Sequence, residues 1–457
     1  MLMTGTRSLL DSFRARVFRL GGGAALALLV AGCGGDSWFG ESSFEPHPGE
    51  RQGVLIQERG LATAPHSNRP VVLPDPEPNE DWPQSGGYSH HAMQHMVADG
   101  PLTELWTTRI GSGSTKRGKL LNSPIVAEGL VFTIDRRASV RAFDARTGRK
   151  VWDVSLPERG TEERDGDFLG GGIAYEDGRI FATTGFAKVV ALDAASGTEL
   201  WRASMDAPVR AAPTVNSGRV VVVTLGNQTV ALAAADGSKL WVHSGVAEST
   251  SLMGTPAPAI DQGIVVVAYS SGEVFALRLE SGTEIWADSV TAVRRTDAAG
   301  LLYDIRANPI IDGNRVYFIG NSGLMVGMDL RSGGRAWQLR VAGTQSPWIA
   351  GDVLYLVSED AELAAVSASS GEVLWSFSLP RWNKASKQKG ALFWIGPILV
   401  SDRLIVGCSD GYVYSFSPYT GKLLGQIELS SAMVTTPVVA DGILYFLTEK
   451  GRLVAFH

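Results

Sequence analysis

The sequence predicts an all-β protein: an eight-bladed β-propeller of four-stranded antiparallel blades, with an N-terminal strand completing the last blade. Three observations support this prediction. A tryptophan returns at one place in a repeated phrase, β-rich runs alternate with turns, and the number of units closes a ring. A period of roughly 40–50 residues is typical of propellers and solenoids. The repeated tryptophans are Trp106, Trp152, Trp201, Trp241, Trp286, Trp337 and Trp375.

All but the first of these tryptophans close a phrase in which alanine, a large apolar residue and often Asp precede a Ser/Thr/Asp-Gly turn. The clearest copies are AFDARTGRKVW (142–152) and ALDAASGTELW (191–201). Burying an indole ring removes roughly 150–250 Å² from water, so we expect each tryptophan to dock its blade on a neighbour. The turn glycine is expected to supply the positive φ of a tight hairpin.

The seventh unit departs from this phrase, because TGKLLG places Gly425 where Trp would stand. We expect its junction with the next blade to be the least well packed of the ring, unless Trp382 or Trp394 fills the gap.

The units themselves can be counted. Each opens with a short segment around a proline, or around GGIA in the second unit, and continues with runs of β-branched and aromatic residues between turns. The openings lie near residues 122, 170, 211, 256, 307, 345, 395 and 435. The eighth unit stops at RLVAFH, one strand short, while ELWTTRI (104–110) is an isolated last strand at the other end. Pairing these two strands would close the ring and leave no open edge.

The N-terminus predicts export. An Arg-bearing start precedes GGGAALALLVAGC, an apolar run too short to span a membrane, so residues 1–32 are expected to be a signal peptide. The run ends in VAGC, which resembles the lipobox of bacterial lipoproteins and implies a diacylglyceryl group on Cys33 and cleavage before it. An ordinary signal peptide with a chance Cys is the alternative. In the bacterial lipoproteins that this motif resembles, an Asp next to the lipidated Cys signals retention in the inner membrane. Here the first acidic residue after Cys33 is Asp36, so the resemblance favours the outer membrane.

Composition sets the domain limits and argues against one class of partner. Residues 33–80 are rich in Pro, Gly, Ser and charged residues and are expected to be the lipidated Cys and a flexible linker, with the propeller over 81–457. The net charge is −6, or about −9 without the Arg-bearing first 32 residues. An acidic domain without a basic stripe argues against nucleic acid as a partner.

Residues that could carry chemistry are few. His90, His91 and His95 are candidate metal ligands, but their spacing does not place three imidazoles on one face of a helix or strand. We therefore predict no metal site and a solvated entry segment. Cys408 lies in a predicted strand and is expected to be a buried, inert thiol. The sequence contains no Gly-x-Ser-x-Gly, phosphate-binding loop or zinc spacing. We therefore predict no catalytic residues and no enzyme activity.

The repeated phrase resembles the pyrroloquinoline-quinone (PQQ) repeat, Ala-Leu-Asp-x-x-Thr/Ser-Gly-x-x-x-Trp, which units one and two match nearly residue for residue. The quinoprotein alcohol dehydrogenases share this repeat. They are longer, keep a disulfide of adjacent cysteines against the quinone, and hold calcium with acidic and amide side chains. This chain has 2 cysteines and no adjacent pair. The repeat is a packing motif, so we predict no cofactor.

Lipobox, linker and eight blades together resemble the BamB family, the lipoproteins of the outer-membrane β-barrel assembly (Bam) machinery. The resemblance implies a non-enzymatic scaffold, lipid-anchored on the periplasmic face of the outer membrane. It also implies binding to the POTRA domains of the central barrel protein, and assistance to unfolded barrel precursors, by a monomer within a hetero-complex.

The resemblance also implies a partner-binding surface in two mid-propeller loops. STSLMGTPAP (249–258) stands for a Ser-Leu-x-Leu-Arg-Gly type segment, with Leu252 matching and Thr250 and Met253 replacing a Leu and an Arg. LLYDIRANP (301–309) stands for a Leu-x-Asp-x-Asp segment, with Asp304 matching and Arg306 in place of the second acid.

Two alternatives remain open. The loop leucines could simply close the gap between two blades. The propeller could also hold a ligand or cofactor in its central channel, as a quinoprotein-like dehydrogenase or an envelope sensor. Trp348, in the innermost segment of unit six, is the candidate channel-lining aromatic for that reading.

Overall fold

The computed structural model describes Leu61, Ser67 and residues 69–98, 100–115, 118–120, 122–157, 170–247, 255–291 and 305–457. These residues form eight four-stranded antiparallel sheets and one two-stranded hairpin. The predicted eight-bladed propeller is confirmed.

Blades 1 to 4 each take four consecutive strands, ordered from the channel outwards. The first strand of the described chain, β1, is Glu104–Arg109 and belongs to blade 8. The strands of blades 1 to 4 are β2 Ile125–Ala127, β3 Leu130–Ile134, β4 Ser139–Asp144, β5 Lys150–Ser155; β6 Gly171–Glu176, β7 Arg179–Thr184, β8 Lys188–Asp193, β9 Glu199–Ser204; β10 Thr214–Asn216, β11 Arg219–Val223, β12 Gln228–Ala233, β13 Lys239–Ser244; β14 Ala259–Asp261, β15 Ile264–Ala268, β16 Glu273–Arg278 and β17 Glu284–Ser289.

Blades 5 to 8 follow the same plan, and a small hairpin precedes blade 7. That hairpin is β26 Trp382–Lys384 and β27 Lys389–Ala391, joined through a 3-10 turn at Ala385–Lys387. The strands of blades 5 to 8 are β18 Ile310–Asp312, β19 Arg315–Ile319, β20 Met325–Asp329, β21 Arg335–Leu339; β22 Trp348–Ala350, β23 Val353–Val357, β24 Glu362–Ser367, β25 Val373–Ser378; β28 Trp394–Val400, β29 Arg403–Cys408, β30 Tyr412–Phe416, β31 Leu423–Glu428; β32 Val438–Ala440, β33 Ile443–Leu447 and β34 Arg452–Phe456.

Ring closure is made by β1. It pairs antiparallel with β34, with Trp106 opposite Ala455 and Arg109 opposite Arg452. The sheet order β1-β34-β33-β32 makes β1 the outer strand of blade 8. The N-terminal strand therefore completes the last blade, as the sequence predicts.

The alanine of the repeated phrase lies directly across from the tryptophan. Ala142 faces Trp152, and Ala191 faces Trp201. The large ring covers its small neighbour: at Gly327, which faces Trp337, an added Cβ would lie 2.5 Å from the indole. Beside each of these pairs the register slips by one residue, as in a β-bulge. The phrase thus encodes a paired small and large residue beside an irregular step in the strand.

Each tryptophan also contacts the outer hairpin turn of the next blade. The Trp201 Nε1–H donates to the Ala234 carbonyl at 2.9 Å. Its ring lies against Gly237, where φ is +75° and an added Cβ would come within 2.6 Å. A residue with a side chain is excluded there both by backbone conformation and by contact. The same donation, at 2.7–3.1 Å, is made by Trp106, Trp152, Trp241, Trp286, Trp337 and Trp375.

The junction between blades 7 and 8 has no such contact. In blade 8 the third strand, β34, and the fourth, β1, are not consecutive in the chain, so no hairpin turn joins them. Gly425 faces Ser415, and a Cβ added at Gly425 would meet no atom within 4 Å. Trp394 instead packs on Tyr414 of its own blade, and Trp382 lies in the small hairpin. Among the described residues, blade 7 thus lacks the tryptophan at the junction where blade 8 lacks the hairpin turn that a tryptophan would contact.

The segment of residues 77–98, called the hub segment below, passes the inner strand of every blade. Its hydrogen bonds to the blades span 2.6–3.5 Å. In blade order from 8 and then 1 to 7, they join Asn79 to Val439, Trp82 to Val126, Pro83 to Tyr175, Gln84 to Val215, Ser89 to Ile260, His90 to Ile311, Gln94 to Trp348 and Met96 to Leu399.

The hub segment closes on itself. The Glu77 N–H donates to the His95 carbonyl at 2.8 Å, and the Val97 N–H donates to the Glu77 carbonyl at 3.1 Å. Trp82, only 1% exposed, stacks on Trp348 with ring centroids 6.1 Å apart. Inner strands would otherwise present unpaired backbone groups along the channel, so the hub segment satisfies them as a loop inside the ring.

Candidate functional site

Most residues of the predicted partner-binding surface lie outside the described residues, as does the predicted lipidation site. This applies to Cys33, Thr250, Leu252, Met253 and Asp304. Arg306 is described and half-buried, between the buried Ile305 and Ala307. Its side chain lines a cavity in the central channel.

This channel cavity has a volume of about 200 Å³. Its lining comes from residues just before or at the start of the inner strands of all eight blades, including Asn122, Arg210, Thr255, Asn308 and Thr435. The hub segment contributes Ser85 to the wall, and the Asn308 Nδ2–H donates to the Ser85 hydroxyl at 3.4 Å. Most of the lining residues are half-buried, so the cavity is a polar recess open to solvent beside the hub segment.

Hydrogen bonds between neighbouring blades hold the rim of the cavity. The Ala257 N–H donates to the Asn308 side-chain oxygen at 2.9 Å, and the Asn308 N–H donates to the Ser346 hydroxyl at 2.9 Å. A third bond runs from the Ser123 hydroxyl to the Thr436 carbonyl at 3.4 Å. The lining is thus built on connected backbone rather than on independent loops.

The charge of the channel cavity is one-sided. Arg210 and Arg306 lie in the wall, and none of the described lining residues is an Asp or Glu. The Nε–H groups of both arginines are buried without a hydrogen-bond partner, as is the Thr435 hydroxyl. No ion pair to either arginine is present among the described residues.

Arg210 was missed in the sequence, although the repeat carries a signal for it. Arg210-Ala-Ala-Pro and Arg306-Ala-Asn-Pro place both arginines three residues before the proline that opens a blade. The same position holds Thr255 in blade 4 and Thr344 in blade 6, and both line the cavity too. Aligning the units on their prolines would have identified this lining position.

The opposite ends of the inner strands face a second hollow, of about 540 Å³, over the hub segment. Glu77, Asp261, Asp312 and His90 line it. Burial raises the pKa of Asp312 above its ordinary value, and burial lowers the pKa of His90 although both aspartates attract its proton. The two ends of the channel therefore carry opposite charge.

The prediction that the three histidines lie in a solvated segment is wrong. His91 and His95 are 5% and 2% exposed, and His90 is half-buried. The His91 ring hydrogen-bonds the Pro309 carbonyl through Nδ1 at 2.7 Å, and the Asp402 N–H donates to the His95 Nε2 at 3.0 Å. Hydrophobic periodicity is absent from this segment, which hid its burial.

The other predicted residues are placed as follows. Trp348 is 5% exposed and donates its Nε1–H to the Gln94 carbonyl at 2.8 Å, so it lies under the hub segment and does not line an open channel. Cys408 is fully buried, and burial raises the pKa of its thiol to about 12, as expected for an inert thiol. Among the described residues no cluster of His, Cys, Asp and Glu could hold a metal ion. In the same part of the chain no helix has the length and apolar content to span a membrane.

The fold and the repeat define a class, the β-propellers of PQQ-like repeats. Two solved structures share the architecture. BamB from Moraxella catarrhalis superposes with a TM-score of 0.67 at 19% identity, covering 78% of this chain and 100% of that one. A quinohemoprotein alcohol dehydrogenase from Pseudomonas putida HK5 gives 0.65 at 14% identity, covering 82% and 80%. At these identities the likeness concerns the fold alone.

Sequence comparison separates the two kinds of propeller. A family model described as outer membrane protein assembly factor BamB matches residues 136–377 and 380–457, which is more than half of the chain. The outer membrane protein assembly factor BamB of Salmonella typhimurium is 29% identical over 357 residues, covering 77% of this chain and 88% of that protein. The chain belongs to the BamB family.

Proposed function

We propose that this protein is a non-enzymatic scaffold of the Bam complex, held by lipid on Cys33 at the periplasmic face of the outer membrane. The observation that carries the proposal is the family match, which begins within blade 1 and runs through blade 8. The Salmonella relative is named as an outer membrane protein assembly factor, and the match covers 88% of its length. This scaffold would assist the insertion of unfolded barrel precursors.

The proposed partners are the POTRA domains of the central barrel protein, and the proposed contact surface includes Thr250, Leu252, Met253, Asp304 and Arg306. Thr255 and Ile305 are the first described residues of the two loop segments 249–258 and 301–309. Both residues precede inner strands at the end of the propeller where the channel cavity lies. Apolar anchors with charges around them are the usual composition of an interaction hot spot, which supports placing the surface in these segments.

A non-enzymatic role is supported by the chemistry of the channel cavity. Its described lining holds no carboxylate, cysteine or histidine. General acid–base and nucleophilic catalysis rely on such side chains. The lining also does not fit the quinone and calcium of the quinoproteins, whose acidic ligands and adjacent cysteines have no counterpart among these residues.

A capture experiment tests the proposal. The purified protein is immobilised, and soluble POTRA domains of the central barrel protein from the same organism are passed over it. The variant Leu252→Ala with Asp304→Arg is expected to lose at least tenfold in affinity, because it removes an apolar anchor and reverses a charge. The matched control Leu200→Ala with Asp75→Arg makes the same changes at exposed positions elsewhere and is expected to bind like the unchanged protein.

Full binding by the Leu252/Asp304 variant, with an unaltered fold, would overturn the assigned surface. Failure of the unchanged protein to capture POTRA domains, together with its purification from membranes without the Bam complex, would overturn the scaffold itself. Redox turnover with a tightly bound small molecule would instead establish the enzyme alternative.

A further inference from the structure

We propose that the channel cavity is a binding site for a compact oxyanion, a group that presents carboxylate or phosphoryl oxygens to Arg210 and Arg306. This inference goes beyond the scaffold role and does not depend on it. Three observations carry it: the placement of the two arginines, their missing partners, and the size of the recess.

The two guanidinium groups come from blades 3 and 5, two steps apart in a ring of eight and therefore a quarter turn apart around the channel. Both occupy the same position of the repeat, three residues before the proline. The buried Thr435 hydroxyl, 6% exposed as a residue, comes from blade 8, on the opposite side of the ring from blade 4. Donors thus line the recess from two sides.

The main chain that carries each arginine is packed within the fold. The Gly171 N–H donates to the Arg210 carbonyl at 3.0 Å, and a Cβ at Gly170 would come within 2.9 Å of the Arg210 Cβ. Arg306 stands between Ile305 and Ala307, which are 0% and 2% exposed. Preorganised donors on rigid elements are the condition for a specific site.

Their charge has no compensation in the described protein. An arginine stays protonated under all physiological conditions, so it cannot relieve unfavourable surroundings by losing its proton. Two like charges in one recess disfavour each other. Both Nε–H groups and the Thr435 hydroxyl are buried without acceptors, and buried polar groups are ordinarily satisfied. An oxyanion supplies the acceptors and the opposite charge together.

The guanidinium group selects the chemistry of the ligand, because its planar fork matches carboxylate and phosphoryl oxygens. The volume of about 200 Å³ selects the size, since pockets for drug-sized ligands span roughly 300–1,000 Å³. The neighbouring donors Asn122, Gln345 and Ser346 could bind further oxygens. A small phosphate or carboxylate group therefore fits better than a large cofactor.

Isothermal titration calorimetry on the purified protein tests this site, with inorganic phosphate and malonate as separate probes in a Tris chloride buffer of low ionic strength. We expect one site per chain for at least one probe, and the stronger probe distinguishes a phosphoryl from a carboxylate ligand. The variant Arg210→Gln with Arg306→Gln should bind at least tenfold more weakly. The control Arg278→Gln with Arg340→Gln, at exposed positions, should leave binding unchanged.

Thermal unfolding in anion-poor buffer gives a second readout. If the arginines serve a ligand, the Arg210/Arg306 variant should melt at the same or a higher temperature than the unchanged protein, since it removes two charges that have no ion-pair partner among the described residues. It should also lose the upward shift that the probe anion causes in the unchanged protein. Equal anion binding by the variant, absence of binding of both probes to the unchanged protein, or a lower melting temperature of the variant would each overturn the proposal.

Discussion

The rim and the hub of this propeller both connect every blade, but they use opposite strategies. At the rim one contact, an indole against a glycine turn, occurs seven times. At the hub a single segment meets the inner strands with several kinds of group, with backbone groups at Trp82, a side-chain amide at Gln84 and a hydroxyl at Ser89. A contact that recurs at each blade requires the same residues in each repeat. The hub segment occurs once in the chain, so its contacts leave no repeated pattern in the sequence.

The largest effect is expected from removing one rim contact. Trp201→Ala should lower the free energy of unfolding by about 3–5 kcal/mol, because it leaves a large cavity and removes the hydrogen bond to the Ala234 carbonyl. Urea unfolding followed by circular dichroism measures the loss. Trp201→Phe keeps most of the packing and should lose clearly less. An unchanged urea midpoint for Trp201→Ala would show that the tryptophan contact at the rim does not stabilise the ring.

The second-largest effect is expected at the hub, where the free energy of unfolding should depend on pH through His91. Burial lowers the pKa of His91 from 6.5 to about 4, so the unfolded chain binds a proton that the folded protein excludes. The contribution of His91 is therefore fully present above pH 6.5 and is lost as the pH falls towards 4. Between pH 7.5 and 4.5 it should amount to roughly 2–3 kcal/mol.

His91→Asn is the matched variant for this pH effect, because Asn tolerates the φ of +64° at this position. Urea unfolding at both pH values should show a smaller loss for the variant. Some loss remains, since burial also lowers the pKa values of His90 and His243. The same loss in variant and unchanged protein would show that His91 is not the group that titrates.

A smaller effect is expected at a rim turn. Gly237→Ala must adopt a φ of +75° with its Cβ 2.6 Å from the Trp201 ring, which should cost about 1–3 kcal/mol. Combining it with Trp201→Ala tests the cause, because the cost that comes from the ring contact should disappear. Strict additivity of the two losses would assign the whole cost to backbone strain.

The smallest effect is expected where the rim pattern lapses. Gly425→Ala has open space around its Cβ and lies within β31, so it should not destabilise the protein and should gain up to about 1 kcal/mol. The same glycine-to-alanine change therefore has opposite signs at residues 237 and 425. A loss above 1 kcal/mol at Gly425 would show that its junction is tightly packed after all.

The rim of the propeller could be predicted from the sequence, whereas the hub could not. Blade number, strand type and closure by β1 were readable, because Trp152, Ala142 and their equivalents recur with the period of the fold. The hub segment was misread as solvated, because a segment that is buried inside a ring needs no alternation of apolar and polar residues. Arg210 was overlooked because it lies 96 positions before Arg306 in the chain, and the ring brings the two into one wall.

The pairing of β1 with β34 also constrains how the chain folds. Each of blades 1 to 7 is built from neighbouring residues, but blade 8 joins Glu104 to Phe456, 352 positions apart. Bringing such distant ends together costs roughly 5 kcal/mol of chain entropy, from (3/2)RT ln n, and contacts of long sequence separation form slowly. We expect closure to be the last event in folding, with β1 held as an unpaired edge until β34 arrives. The junction at Gly425, which has no tryptophan to insert, is where the ring can admit that final blade.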